Sequence, residues 1–161
     1  MIGGAISNHS RSKVEPKMNA KTVIDAEGLI LGRMASIVAK RLLAGESIEL
    51  VNAQGVVISG RKVNIVDEHK EFISVGGHRK GPIHFRMPNA IVRRTIRGML
   101  PYRKPMGRDA YKRLTVHIGV PEELAGVEKQ SLTEAHVSRL NHRYVTVGEV
   151  AEQIGWKKRG V

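Results

Sequence analysis

The sequence predicts an α/β protein: a central, mostly parallel sheet of about four strands flanked by helices, with basic loop and helix extensions. Three observations predict it. Short β-branched runs alternate with stretches of helical period. Glycine or proline stands at most of the boundaries between them. The chain shows neither an internal repeat nor heptads, which sets solenoids and coiled coils aside.

Residues 1–17 have no apolar period and read as a mobile N-terminal tail, with Met18 as an alternative start. Residues 18–161 are expected to form one domain. Thr22–Asp25 is a short strand that Gly28 breaks. Leu31, Met34, Ala35, Val38 and Leu42 then recur at helical spacing up to a stop at Gly45. Ile48–Asn52 is a second strand, and Gly55–Ile58 a further apolar run. Ser59 is placed to cap a helix carrying Val63, Val66 and Phe72. Residues 76–82 read as a loop. Pro88 opens a helix at its preferred first position, Pro101 closes it, and Pro105 begins a shorter one through Tyr111. Leu114–Ile118 is a third strand. Ser131 and Glu134 have the spacing of a capping box, which predicts a helix to about Leu140. Tyr144–Val147 is a last strand, and Thr146 with Glu149 a second capping box before Val150, Ala151 and Ile154.

Composition narrows the function. The 161 residues include no Cys, which excludes thiol nucleophiles, disulfides and zinc–thiolate sites. No run of about 18 apolar residues is present, so no membrane span is expected. The net charge is +12, which favours a polyanionic partner. That charge is concentrated: residues 60–113 carry 14 basic and 4 acidic side chains, whereas residues 114–161 carry 6 of each. From Phe72 to Arg108 nine Lys/Arg occur with no Asp or Glu. A solvated surface normally mixes signs, so an acid-free stretch points to a negative partner.

The Pro88–Leu100 segment concentrates that signal. At about 100° per residue, Ile91, Val92, Thr95, Ile96 and Met99 fall within about 140° of arc, while Arg93, Arg94 and Arg97 gather on the other side. One face is suited to the core and the other presents three guanidiniums on a rigid rod. Their planar forks pair with phosphate oxygens. No carboxylate lies near enough in sequence to pair with them along the helix. His78, Arg79, Lys80, His84, Phe85 and Arg86 extend the patch upstream; Tyr102, Arg103, Lys104, Arg108, Lys112 and Arg113 extend it downstream. His84, Phe85 and Tyr102 are able to stack on bases, but packing in the core is the favoured role for rings so scarce. Aromatics make up 4% of the chain, which argues for phosphate and sugar contacts to folded RNA over a stacking platform for single strands.

Catalytic signatures are weak. Gly28-Leu-Ile-Leu-Gly32-Arg33 enters a helix but lacks the glycine spacing of a dinucleotide site. Ser59-Gly-Arg-Lys62 lacks the phosphate-loop frame. Asp25 and Glu27 flank a turn and are better explained as capping groups. The seven histidines show no H-x-x-x-H spacing, so no metal or other cofactor is expected.

Several motifs stand in order along the chain: Asp25-Ala-Glu-Gly-Leu-Ile-Leu-Gly-Arg-Met-Ala-Ser36, Val51-Asn-Ala-Gln-Gly-Val-Val-Ile-Ser-Gly60, Gly81-Pro-Ile-His-Phe-Arg86, Arg94-Thr-Ile-Arg-Gly-Met-Leu-Pro101, and Gly107 through Gly119. Together they closely resemble the universal large-subunit ribosomal protein thirteen family. The Gly81–Arg86 element and the ending Tyr144–Trp156 resemble its archaeal and eukaryotic branch. The resemblance covers about residues 20–156. It implies an α/β domain bound to large-subunit ribosomal RNA beside other subunit proteins, in cytoplasmic ribosomes, with a structural and assembly role and neither catalysis nor a cofactor. Its basic motifs map to Arg33, Arg61, Lys62, Arg86, Arg93, Arg94, Arg97, Arg103, Lys104, Arg108 and Arg113. The tail 1–17 lies outside the match, and residues 121–143 match loosely, so no site is assigned there. A free homo-oligomer is not expected. Two other functions fit the residues: a nucleotide-binding α/β enzyme acting on RNA, with its pocket at Gly28–Arg33, and an RNA-binding regulator outside the ribosome.

Overall fold

A computed structural model describes residues 21–76 and 81–157. Strand β1 (Thr22–Asp25) leads into helix α1 (Leu31–Leu43), then strand β2 (Ile48–Val51). A 3₁₀ turn at Ala53–Gly55 and strand β3 (Val57–Ser59) precede helix α2 (Lys62–Ser74). Helices α3 (Pro88–Met99) and α4 (Pro105–Lys112) follow, then strand β4 (Leu114–Val116). Strand β5 (Tyr144–Thr146) and helix α5 (Val147–Gln153) end the described fold.

The central sheet is parallel, in the order β1-β2-β4, with Thr22 opposite Ile48 and Ile48 opposite Leu114. All of β2 is buried, as expected of a middle strand in a covered parallel sheet. Ile24, Ile48, Leu50, Leu114 and Val116 enter one cluster with Met34, Val38 and Leu42 of α1 and Val92 and Ile96 of α3. Burying a side chain of this size is worth about 1.5–3 kcal/mol. The sheet and two helices are thus locked together, and α3 is held by its apolar stripe.

The predicted α/β class holds, and the arrangement of strands adds detail. The parallel sheet has three strands. Its β1 edge is covered by Gln130, which exchanges backbone hydrogen bonds with Val23 and Asp25 at 2.9 and 3.0 Å. The Gly55–Ile58 run and the last strand pair with each other, antiparallel, with Ser59 opposite Tyr144. This ladder joins the rest through Val57, whose N–H donates to the Leu29 carbonyl at 2.8 Å.

Three local expectations are corrected. Ser59 does not cap α2; it ends β3, and Arg61 occupies the N-cap position without a side-chain bond. A turn at Gly60, with φ of 141°, intervenes, and a Cβ there would press on Ile65 at 3.1 Å. The buried face of α2 is Ile65 and Val66, while Val63 is 69% exposed and Phe72 49% exposed. Residues 131–140 form two 3₁₀ turns, Thr133–Ala135 and Val137–Arg139, rather than an α-helix, and Leu132 at the N-cap makes no side-chain bond. Their backbone groups are committed elsewhere: Ile30 N–H donates to the Ala135 carbonyl at 2.8 Å, and Val137 N–H donates to the Gly28 carbonyl at 2.9 Å. An α-helical ladder there would have to give up those bonds. The cap at Thr146 does form, its hydroxyl accepting from Glu149 N–H at 3.2 Å.

Candidate nucleic-acid interface

Helix α3 displays the two faces its sequence implies. Val92 and Ile96 are fully buried, while Arg93, Arg94 and Arg97 are exposed. Met99 departs from the pattern: at the last turn it is 42% exposed, and Leu100 is buried in its place. Among the described residues, none of the three arginines pairs with a carboxylate. Each lies over an aromatic ring instead. The Arg93 guanidinium is 4.7 Å from the Tyr111 ring centre, Arg94 is 5.7 Å from that of Phe72, and Arg97 is 4.4 Å from that of Tyr102.

These rings come from three elements, and the fold brings them to α3 for local reasons. Phe72 lies in the last turn of α2. Tyr102 sits in the turn after α3, and Tyr111 in the last turn of α4. That turn is tight because Gly107 packs directly on the backbone of Pro101 and Tyr102; a Cβ at 107 would overlap the Pro101 carbonyl. Tyr102 and Tyr111 therefore meet edge to face at 5.5 Å. Arg97, Tyr102, Tyr111 and Arg93 make one continuous stack. A ring under a guanidinium stabilises it by about 0.5–1 kcal/mol at an exposed site and limits its rotation without neutralising it. A carboxylate partner would do the opposite, cancelling the charge that a phosphate needs.

Tyr111 packs against the core, but His84, Phe85 and Tyr102 do not fill it as expected. Tyr102 and Phe85 stay partly exposed, at 37% and 49%, and His84 packs edge-on against Phe72 at 4.2 Å. The ring beneath each arginine was not legible in the sequence. Arg97 and Tyr102, five residues apart, gave only a weak hint.

The other predicted basic residues divide by location. Arg103, Lys104 and Arg108 are exposed on the Tyr102 turn and α4, next to the α3 face. Arg108 lies one turn before Tyr111, on the same side of α4. Lys112 is held 3.5 Å from Asp109, and Lys62 2.9 Å from Glu149. Arg113 turns inward and donates to the Leu42 carbonyl at 2.7 Å, satisfying the end of α1. Arg86 lines a separate open cleft with Trp156, Glu149 and Glu152. Arg33 is exposed at the start of α1, and Arg61 at the start of α2. His78, Arg79 and Lys80 lie outside the described residues.

In the Gly28–Arg33 turn the first three backbone amides are used by the fold itself. Gly28 N–H donates to Gly55, Leu29 N–H to Ala26, and Ile30 N–H to Ala135, at 3.0, 3.2 and 2.8 Å. These bonds spend the amides ahead of α1; the donors that a helix start offers an anion are the next ones along, in the first turn of α1. Asp25 is spent on the same turn, accepting from Glu27 N–H at 3.1 Å and from the Asn52 amide at 3.0 Å. Among the described residues no helix is long and apolar enough to cross a membrane.

Comparison with known proteins shows the family of the chain. The family model described as ribosomal protein L13 matches residues 19–123. The chain is 46% identical over 142 residues to a protein of Methanopyrus kandleri, covering 86% of this chain and 89% of that one. Identity is 47% over 137 residues to a protein of Methanococcoides burtonii, covering 84% and 99%. It is 48% over 141 residues to a protein of Methanocaldococcus jannaschii, covering 84% and 98%. All three are called large ribosomal subunit protein uL13. With identity this high across nearly the whole length of these archaeal proteins, the chain belongs to the ribosomal protein L13 family.

Proposed function

We propose that this protein is a structural constituent of the large ribosomal subunit in the cytoplasm, where it grips folded ribosomal RNA and supports subunit assembly beside neighbouring proteins. Its family is structural, not enzymatic. The observation that carries the RNA reading is the α3 face: three exposed guanidiniums, without carboxylate partners among the described residues, each seated on a ring. Arg103, Lys104 and Arg108 continue that face.

The mechanism is electrostatic and geometric. The α/β core fixes α3, and the rings hold its arginines extended. The arginines neutralise phosphates where RNA helices approach closely and lower the repulsion between those helices. Released counterions supply much of the free energy. Holding the side chains in place beforehand lowers the ordering cost of each contact, about 0.5–1.5 kcal/mol per side chain.

The test replaces Arg93, Arg94 and Arg97 together by Gln. The variant should stay folded, melting about 3–12 °C below wild type for the loss of three ring contacts, bind large-subunit RNA more weakly, and be depleted from large subunits on sedimentation. Full incorporation and undiminished affinity would overturn the proposal.

A further inference from the structure

A second basic surface lies at the other end of α2 from Phe72. Helix rise puts Lys62 about 15 Å along the axis from Phe72, so this surface is separate from the ring under Arg94. The β3–β5 ladder builds it. Ser59 pairs with Tyr144, and Gly60 N–H donates to the Arg143 carbonyl at 2.8 Å, which sets the 60–64 and 141–144 segments side by side. Between them is an open cleft of about 880 Å³ lined by Arg61, Lys62, Asn64, Asn141, His142, Arg143 and Tyr144 along with Gly60 and Val63. Among the described residues no carboxylate lines it. Lys62 is partly neutralised by Glu149 at 2.9 Å, but Arg61 and Arg143 have no carboxylate partner among the described residues.

The ring here differs from those at α3. Phe72, Tyr102 and Tyr111 each lie beneath a guanidinium. Tyr144 is 52% exposed, and among the described residues no cation or ring stacks on it. An uncovered ring, flanking guanidiniums and two exposed side-chain amides match the three parts of an unpaired nucleotide. The ring takes the base face, the arginines the phosphates, and the amides a base edge. A duplex offers no free base face.

We propose that this cleft is a second RNA contact, which takes an unpaired stretch with one base stacked on Tyr144 and its phosphates on Arg61 and Arg143. It rests on the reading that the protein binds RNA, and it adds His142 and Arg143, which the charge pattern of the sequence did not single out. With α3 gripping helical RNA and the cleft an unpaired segment, the protein would tie two kinds of RNA element to one core.

The experiment measures binding of the full chain to labelled single-stranded hexauridylate, to an RNA hairpin with a short closed loop, and to large-subunit RNA. Tyr144→Leu should weaken hexauridylate binding roughly 5- to 150-fold, the range for loss of one stacked base, while Tyr144→Phe retains it. Replacing Arg61 and Arg143 by Gln should weaken it too and flatten the salt slope by about 1.4, or about 0.7 per phosphate contact on a single strand. The Arg93, Arg94 and Arg97 triple Gln variant should lose the hairpin instead. Wild-type hexauridylate binding by Tyr144→Leu would overturn the proposal. So would an oligoglutamate peptide that displaces hexauridylate and loses affinity through the same substitutions, since that marks an acidic protein segment as the occupant. If the α3 variant also binds large-subunit RNA like wild type, the RNA reading itself fails; if the cleft variants alone have no effect, only this inference does.

Discussion

Tyr102→Leu isolates what the rings contribute. The change keeps apolar bulk but removes the ring 4.4 Å from Arg97 and its edge contact with Tyr111 at 5.5 Å. The cation contact is worth about 0.5–1 kcal/mol and the ring pair about 0.5–1.5 kcal/mol, so stability should fall by about 1–2.5 kcal/mol. At about 2–4 °C per kcal/mol for a chain of this size, melting should drop by about 2–10 °C. RNA affinity should fall separately, because a freed Arg97 must be ordered on binding. That costs about 0.5–1.5 kcal/mol, or roughly 2- to 13-fold in Kd. The assay is a double-mutant cycle with Arg97→Gln, read by calorimetry and by filter binding to large-subunit RNA. The structure predicts that Tyr102→Leu costs affinity only while Arg97 is present, giving a coupling of at least about 0.5 kcal/mol. If the two substitutions add within about 0.3 kcal/mol in both readouts, the ring does not orient the guanidinium and the reasoning fails.

Three further outcomes follow from particular contacts. Ile96→Ala removes a fully buried side chain of α3 and should cost about 2–5 kcal/mol of stability, read by denaturant unfolding, while the folded fraction still binds RNA. Gly107→Ala forces a methyl group against the Pro101 carbonyl; it should destabilise by about 1–3 kcal/mol and weaken RNA binding as Tyr102 and Tyr111 part, whereas Gly98→Ala, with nothing within 4 Å of its Cβ position among the described residues, should not destabilise. Lys21 is held above the usual lysine value of 10.5 by its hydrogen bond to Glu49 and by the charge of that carboxylate. A raised folded-state value means stability that is fully present below 10.5 and fades as pH climbs through the folded value. Lys21→Met should therefore melt below wild type at pH 8, and the gap should close in strongly alkaline buffer.

The α3 wheel was legible because its stripe is regular and its first turn is marked by Pro88. The parallel strands were legible for a similar reason: β1, β2 and β4 are short apolar runs between clear breaks. What stayed hidden was set by partners distant in sequence. In α2, Ile65, Val66 and Ile73 share an arc with Phe72 at its margin, while Val63 falls outside it, yet only the packing against α5 shows which arc is buried. The capping-box spacing at Ser131–Glu134 was real as a pattern, but the turn between β1 and α1 claimed its backbone groups. The β3–β5 pairing joins residues more than eighty apart in sequence, so the cleft with Arg143 and Tyr144 had no local signal. For α3 the charge pattern picked out the three exposed arginines but not the rings beneath them.

The proposed grip on RNA depends on charge presented to phosphate, and the salt dependence of binding to large-subunit RNA measures that most directly. Plotted as log K against log salt, the wild-type line should be steep. The Arg93, Arg94 and Arg97 triple Gln variant should be shallower by about 2–3, or about 0.7–0.9 per lost phosphate contact. Parallel lines for the two proteins, or a wild-type affinity that barely responds to salt, would contradict it.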